Sequence, residues 1–466
     1  MQRREFLGST GAVIALAASG CAGRSETIKG GDLMNDQDTT ANAESVQELA
    51  KKAFLYGYGP YEFAKTAAAA SARGALKNTL GHRAVMSTPR HRSVTAPNLD
   101  TLYSSAFLEL SGGPMEVTTP EAPDRYHCVT FMNVFTDNFG ILGTRTTGGH
   151  SVKAWIVGPE WQGEAPEGVR LIRSDTNDVW MLGRTLVAGP EDLEAARAVQ
   201  TQFHLKPVEG RGPVRPAFEK AAPVPDAPMF LAVVNEILGR SPVDIGEAKR
   251  ATSFSAVGLR PGDPGVWQGL PDELKQIWSA SFPDMLADLK AGVDKLLVPR
   301  EGWLAAPPEV GDFGENDALR ASVALWGLAA LPAEEAGYYR AVSDEKGNAL
   351  NGAQAYTFRL PPEGAPADAF WSLTMYSEEP DGRNFLVENP IDRYAISDRT
   401  AGLVRDADGA LTIYIQAEQP SDPVAAANWL PTPSGAFTVS FRAYLPRKEV
   451  MNGLWSPPPL QAADPC

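Results

Sequence analysis

The chain has 466 residues, 43% of them hydrophobic, with a formal net charge of −15. That length allows two or three domains, each with its own core. The acidic balance leaves no basic stripe for phosphate backbones, which excludes nucleic acid as a partner.

In chain order, residues 1–21 read as an export signal. Arg3-Arg4-Glu5-Phe6-Leu7 supplies a basic segment, Gly11 to Ala18 an apolar one, and Ala18-Ser19-Gly20 precedes Cys21. A thiol so placed is the expected lipid acceptor, and paired arginines before Phe6 and Leu7 are the pattern read by twin-arginine export. An ordinary Sec-type lipoprotein signal is the alternative. Residues 22–44 form a polar tether. The expected location is the cell envelope, on the periplasmic side or the outer surface. No later segment approaches the ~20 consecutive apolar residues of a membrane span, so the lipid on Cys21 is the expected membrane contact.

Residues Ala43 to Ser71 have helical composition, and Gly57-Tyr58-Gly59-Pro60 is expected to split them into two helices. Five short segments rich in β-branched and aromatic residues follow: Thr101 to Leu110, Tyr126 to Val134, Val152 to Val157, Val169 to Ser174 and Val179 to Leu186. They place a first β-rich domain at 45–190. A helical middle region at 191–340 contains Glu191 to Phe203, Phe230 to Leu238, Asp272 to Leu297 and Asn316 to Leu331. Strand patterns return in Ala355 to Leu360, Ala369 to Tyr376, Leu411 to Gln416 and Ala436 to Tyr444, giving a second β-sandwich at 341–455 and a tail at 456–466. The expected class is mainly β with helical insertions: two β-sandwich-like domains connected by a helical middle region.

Several motifs carry a family resemblance. Pro97-Asn98-Leu99-Asp100-Thr101-Leu102-Tyr103-Ser104-Ser105, Asp124-Arg125-Tyr126, Asn138-Phe139 and Gly143-Thr144-Arg145-Thr146-Thr147-Gly148 resemble the bacterial domain of unknown function 1254. Phe370-Trp371-Ser372-Leu373-Thr374-Met375-Tyr376, Asn389-Pro390-Ile391-Asp392-Arg393-Tyr394 and Asn428-Trp429-Leu430-Pro431 are similar to domain of unknown function 1214. The resemblance implies two β-rich domains with helices between or around them. It implies no reaction.

The densest polar cluster is Asn98, Asp100, Thr101, Tyr103, Ser104 and Ser105. With Arg145 from the glycine-flanked loop, Asp100 could serve as a base, Arg145 as an oxyanion holder and Tyr103 as a proton donor, provided that Asn98, Asp100 and Arg145 converge in one concavity. The competing reading gives Asn98 and Asp100 turn bonds and Arg145 a structural ion pair. Asn98, Thr101, Asp392 and Arg393 are the polar candidates for ligand binding. Trp371 and Trp429 are the aromatic ones, with a buried core role as their alternative. The five histidines lack metal-ligand spacing, no metal is expected, and the sequence names no cofactor. Cys128 lies in an apolar run, where a buried thiol is expected. Two functional readings follow: an envelope enzyme of hydrolase or lyase type acting on a small molecule or glycan, or a non-catalytic ligand-binding or assembly lipoprotein. A homo-oligomer is compatible with either.

Overall fold

The computed structural model describes residues 36–92, 95–216, 221–379 and 383–464. The signal segment, Cys21 and Cys466 lie outside the described residues. The first helix, Asp36–Ala72, begins inside the stretch expected to be a tether and runs through Pro60 without the expected break. Packing overrides the local signal, because Tyr56, Tyr58, Tyr61 and Phe63 are all buried around the proline. The two glycines mark close approach. A Cβ at Gly57 would lie 2.9 Å from the Phe230 ring, and one at Gly59 would lie 3.1 Å from the Arg320 side chain.

This helix packs with the middle helices and also against the first β domain, where Phe63 meets Phe107 and Tyr56 meets Phe135. Phe54 meets Phe230 of Ala227–Leu238 and Phe282 of Asp272–Leu296, while Ala321 and Ala324 of Asp317–Trp326 join the same core. The Ala227–Leu238 helix is started by Asp226, whose side chain accepts from Met229 N, with Pro228 in the first turn. Asp317–Trp326 ends earlier than its composition suggests. Ala329 takes a left-handed φ of 70°, and Leu331 N donates to the Tyr338 hydroxyl.

From Ser45 onward the chain folds as one compact unit. The first sandwich pairs a five-stranded sheet, in the order Gly81–Arg83, Thr101–Glu109, Asp178–Leu186, His127–Met132, Asn138–Gly143, with a four-stranded sheet. Leu108, Phe131 and Met181 from one sheet meet Met115, Val117 and Ile156 from the other. The sandwich does not close at residue 190. His204–Pro207 adds an edge strand beside Met115–Thr118, and its exposed edge explains why no apolar alternation announces it.

The second sandwich likewise exceeds its expected bounds. Ala336–Ala341 lies within its seven-stranded sheet, next to Phe437–Pro446, which in turn pairs with Ala367–Glu378. Gln461–Ala463, in the expected tail, pairs with Ala355–Leu360 of the smaller sheet. The core between these sheets holds Leu373, Met375, Val439 and Phe441 against Phe358, Ile413 and Ile415. Two sandwiches with helices between them make the fold mainly β with helical insertions. Strand alternation then sends the other face of each large sheet toward its counterpart. No helix among the described residues is long and apolar enough to cross a membrane.

A buried polar seam as the candidate functional site

Cross-strand register sets up two polar rows. On the first sandwich, Tyr103, Arg184 and Cys128 are neighbours on three adjacent strands. On the second, Tyr338, Arg442 and Ser372 are neighbours in the same way. Their strand neighbours Leu108, Val129, Met181, Tyr339, Leu373 and Phe441 point into the two sandwich cores, so the polar rows occupy the opposite faces. Tyr126 packs edge-on against both Phe370 and Tyr444, and Phe370 stacks on Tyr444 at 4.1 Å, which joins the two faces.

The Pro97 turn inserts into this seam. Asn98 Oδ1 accepts from the backbone N–H of Asp100 at 2.6 Å and of Thr101 at 3.0 Å, while its amide donates to the Tyr444 hydroxyl. That is an Asx turn whose side chain also reaches the second sandwich. Asp100 is 3% exposed. Its Oδ2 accepts from Ser372 Oγ at 2.7 Å and its Oδ1 from Arg399 Nη2 at 2.9 Å. Arg399 lies over the Phe370 ring at 4.3 Å and also pairs with Asp398. Thr101 is buried beside Asn98.

Arg145 does not face Asp100. Gly143, at φ 144°, passes so close to the neighbouring strand that a Cβ would meet His127 O at 2.2 Å, and this approach starts the short Thr144–Thr147 helix. From that helix Arg145 Nε reaches Glu335 Oε2 at 2.7 Å. Glu335 is fully buried, and its other oxygen accepts from the Tyr126 hydroxyl at 2.9 Å. The expected convergence of Asp100 and Arg145 in one concavity is therefore not found: each sits in its own ion pair, and Asn98 makes turn bonds, as the competing structural reading has it. A concavity of about 250 Å³ lies beside Arg300, Ala305, Leu331 and Tyr338, and an open one of about 620 Å³ beside Ile141 and Arg173. Neither is lined by Asn98, Asp100 or Arg145.

The aromatic and loop candidates are also engaged. Trp371 stacks on Phe441 in the second core, and Trp429 is 2% exposed with its indole N–H donating to Gln416 O. Both fill core space instead of facing a ligand. Arg393 donates to Ala427 O and Trp429 O, and exposed Asp392 accepts from the Tyr394 hydroxyl. This loop closes the second sandwich.

Arg184 and Arg442, the two most deeply buried cations of the seam, are absent from the candidates that local sequence suggests. Arg184 is 5% exposed and donates through Nη2 to Ala329 O at 2.6 Å. Arg442 is 7% exposed and donates to Ala96 O and the Tyr376 hydroxyl, each at 3.1 Å. Both accepting carbonyls belong to alanines in the left-handed region, at φ 70° and 45°, a conformation that costs non-glycine residues about 1 kcal/mol or more. Among the described residues, neither guanidinium has a carboxylate within 4 Å. The signal in the sequence is a cation inside each of two apolar runs, Val179 to Leu186 and Phe437 to Tyr444.

Burial pushes the Cys128 thiol up to about 12, with the buried Glu335 carboxylate adding to the effect. Cys128 should therefore resist iodoacetamide at pH 8 in the native protein and react once denaturant is added; rapid native labelling would contradict the assigned burial. The same burial, with Cys128 and Glu335 nearby, holds the Tyr126 phenol well above its usual range. No group of three or more histidine, cysteine or acidic residues able to hold a metal occurs among the described residues.

Residues 77–207 match the family described as "Protein of unknown function (DUF1254)" and residues 335–448 that described as "Protein of unknown function (DUF1214)". No curated protein matches the chain. The fold is similar to the crystal structure of the VPA0106 protein from Vibrio parahaemolyticus, with a TM-score of 0.67 and 23% identity over 90% of this chain and 100% of that one. An uncharacterized protein from Burkholderia cenocepacia aligns with a TM-score of 0.42 and 14% identity, over 92% of this chain and 95% of that one.

Proposed function

Because the chain belongs to the two-domain family in which DUF1254 is followed by DUF1214, and neither domain brings a reaction with it, we propose its role from the seam: a lipid-anchored, ligand-binding protein of the cell envelope. The observation that carries this reading is the state of Asp100. Both of its oxygens are engaged by protein donors and it is buried, so the carboxylate is held in a structural role and is not presented to a substrate proton. Arg145 is likewise committed to Glu335. A general base and an oxyanion holder need reach to a reacting atom, and these groups are instead engaged in joining two domains.

Export and anchoring enter from the amino-terminal pattern. Lipid on Cys21 would place the folded unit at a membrane surface, and the residues from 22 onward would connect the two. Cys21→Ser should release the protein from the membrane fraction and leave its signal unprocessed. Mass spectrometry of the wild-type membrane form should find the acyl groups on Cys21. Unchanged fractionation of the serine variant would remove the anchoring part of the proposal. A screen of the purified chain against envelope metabolites, scored for thermal stabilisation and for product, separates binding from turnover.

A further inference from the structure

Arg184 presents an imbalance that the rest of the seam does not neutralise. It is buried, its Nη2 is bonded to Ala329 O, and its Nη1 has no hydrogen-bond partner. Burying a guanidinium away from water is costly unless negative charge or good acceptors surround it. The groups around it are neutral: the Tyr103 ring face and the Cys128 thiol, whose sulfur accepts a hydrogen bond from the Arg184 side chain. Tyr103 lies with its ring 5.6 Å from the Arg184 guanidinium carbon, and its hydroxyl makes no hydrogen bond to the described residues. Tyr338 and Tyr444, across the seam, each already accept one bond, from Leu331 N and from Asn98, so each hydroxyl retains its own proton for donation.

We infer that Arg184, with the hydroxyls of Tyr103, Tyr338 and Tyr444, forms an anion-binding subsite that takes the carboxylate of a small organic acid. Arg184 is an electrostatic neighbour of the Tyr103, Tyr338 and Tyr444 phenols, and a free guanidinium N–H with a phenolic hydroxyl nearby offers hydrogen bonds to two oxygens of a planar anion, which is the acceptor pattern of a carboxylate. Charge supports the assignment. The phenols of Tyr338 and Tyr444 are driven up by burial and stay protonated, and the Cys128 thiol is held neutral, so none of them supplies the missing negative charge. Partial exposure supports it as well. Tyr103 and Tyr338 are partly exposed, as are several of their strand neighbours, and Tyr338 also lines the 250 Å³ concavity, so the seam borders accessible space at Tyr338. The left-handed Ala329 fixes the carbonyl that orients the guanidinium, a local cost of the kind that accompanies binding sites.

This inference rests on the seam being a binding region, and its test separates the two. The full chain, purified in detergent, is titrated by calorimetry with benzoate and propionate, with benzamide and propionamide as neutral partners of the same shape, and with inorganic phosphate. Carboxylates should bind and their amides should bind at least about tenfold more weakly, as expected for loss of a charge-assisted bond. Arg184→Gln should weaken carboxylate binding about tenfold or more, and Tyr103→Phe, whose hydroxyl has no structural bond to lose, by about three- to tenfold. Should Arg184→Gln fail to fold, Tyr103→Phe decides alone. Equal binding of amides and carboxylates would overturn the anion assignment and leave the binding reading standing. Phosphate binding without carboxylate binding would overturn the choice of carboxylate. Carboxylate affinity unchanged in Tyr103→Phe would overturn the site, and binding of none of the five probes would overturn the subsite, leaving the metabolite screen to judge the wider reading.

Discussion

Asp100→Ala is expected to cost about 3–5 kcal/mol of folding stability, because it breaks a buried ion pair and leaves its cationic partners in place. Arg399 is mostly buried over Phe370, and Arg442 stands nearby with Asp100 as its electrostatic counterpart. Ser372 would also lose its acceptor. Asp100→Asn should be milder, at about 1–2 kcal/mol, since its amide can still bond Ser372 and its carbonyl can still accept from Arg399. Denaturant unfolding of the three proteins tests the order. A double-mutant cycle between Asp100→Ala and Arg399→Ala should show coupling of about 1–3 kcal/mol. Coupling near zero would mean that the pair contributes nothing to joining the domains.

Glu335→Ala should be the second large loss, at about 2–4 kcal/mol, arising mainly on the Tyr126 side. Arg145 is 32% exposed at its side chain and can turn toward water, whereas the Tyr126 hydroxyl is buried and would be left without its carboxylate acceptor. Glu335→Gln keeps an acceptor for Tyr126 and should recover about half of the loss. If alanine and glutamine were equally destabilising, most of the loss would come from the ion pair with Arg145 instead. Calorimetric melting of both variants distinguishes these outcomes.

Much of the architecture is legible because strand alternation is a strong signal where one face is buried. Thr101 to Leu110 and Val179 to Leu186 lie within a residue or two of the true strand bounds, and both sandwiches follow from such runs. The errors have physical causes. The Gly57 to Pro60 break is overridden by burial of four aromatic residues, and the edge strands His204–Pro207 and Gln461–Ala463 are too short and exposed to show a pattern. At the seam, Asn98 and Asp100 stand out from local composition alone, and they do lie together. Their partners cannot be read locally, because Ser372 and Arg399 are more than 270 positions away in sequence and meet Asp100 only through the packing of the two sandwiches. The same local reasoning brings Arg145 into one concavity with Asp100, or else into a structural ion pair with an unnamed carboxylate; Glu335, that partner, sits at a turn with no motif of its own.

Whether the seam binds without turning over is decided by screening wild type and Asp100→Asn side by side for ligand-induced stabilisation and for product. A ligand should stabilise both proteins, and neither should form product. Product formation by the wild type, abolished in a folded Asp100→Asn variant, would contradict the binding role and restore Asp100 as a catalytic group.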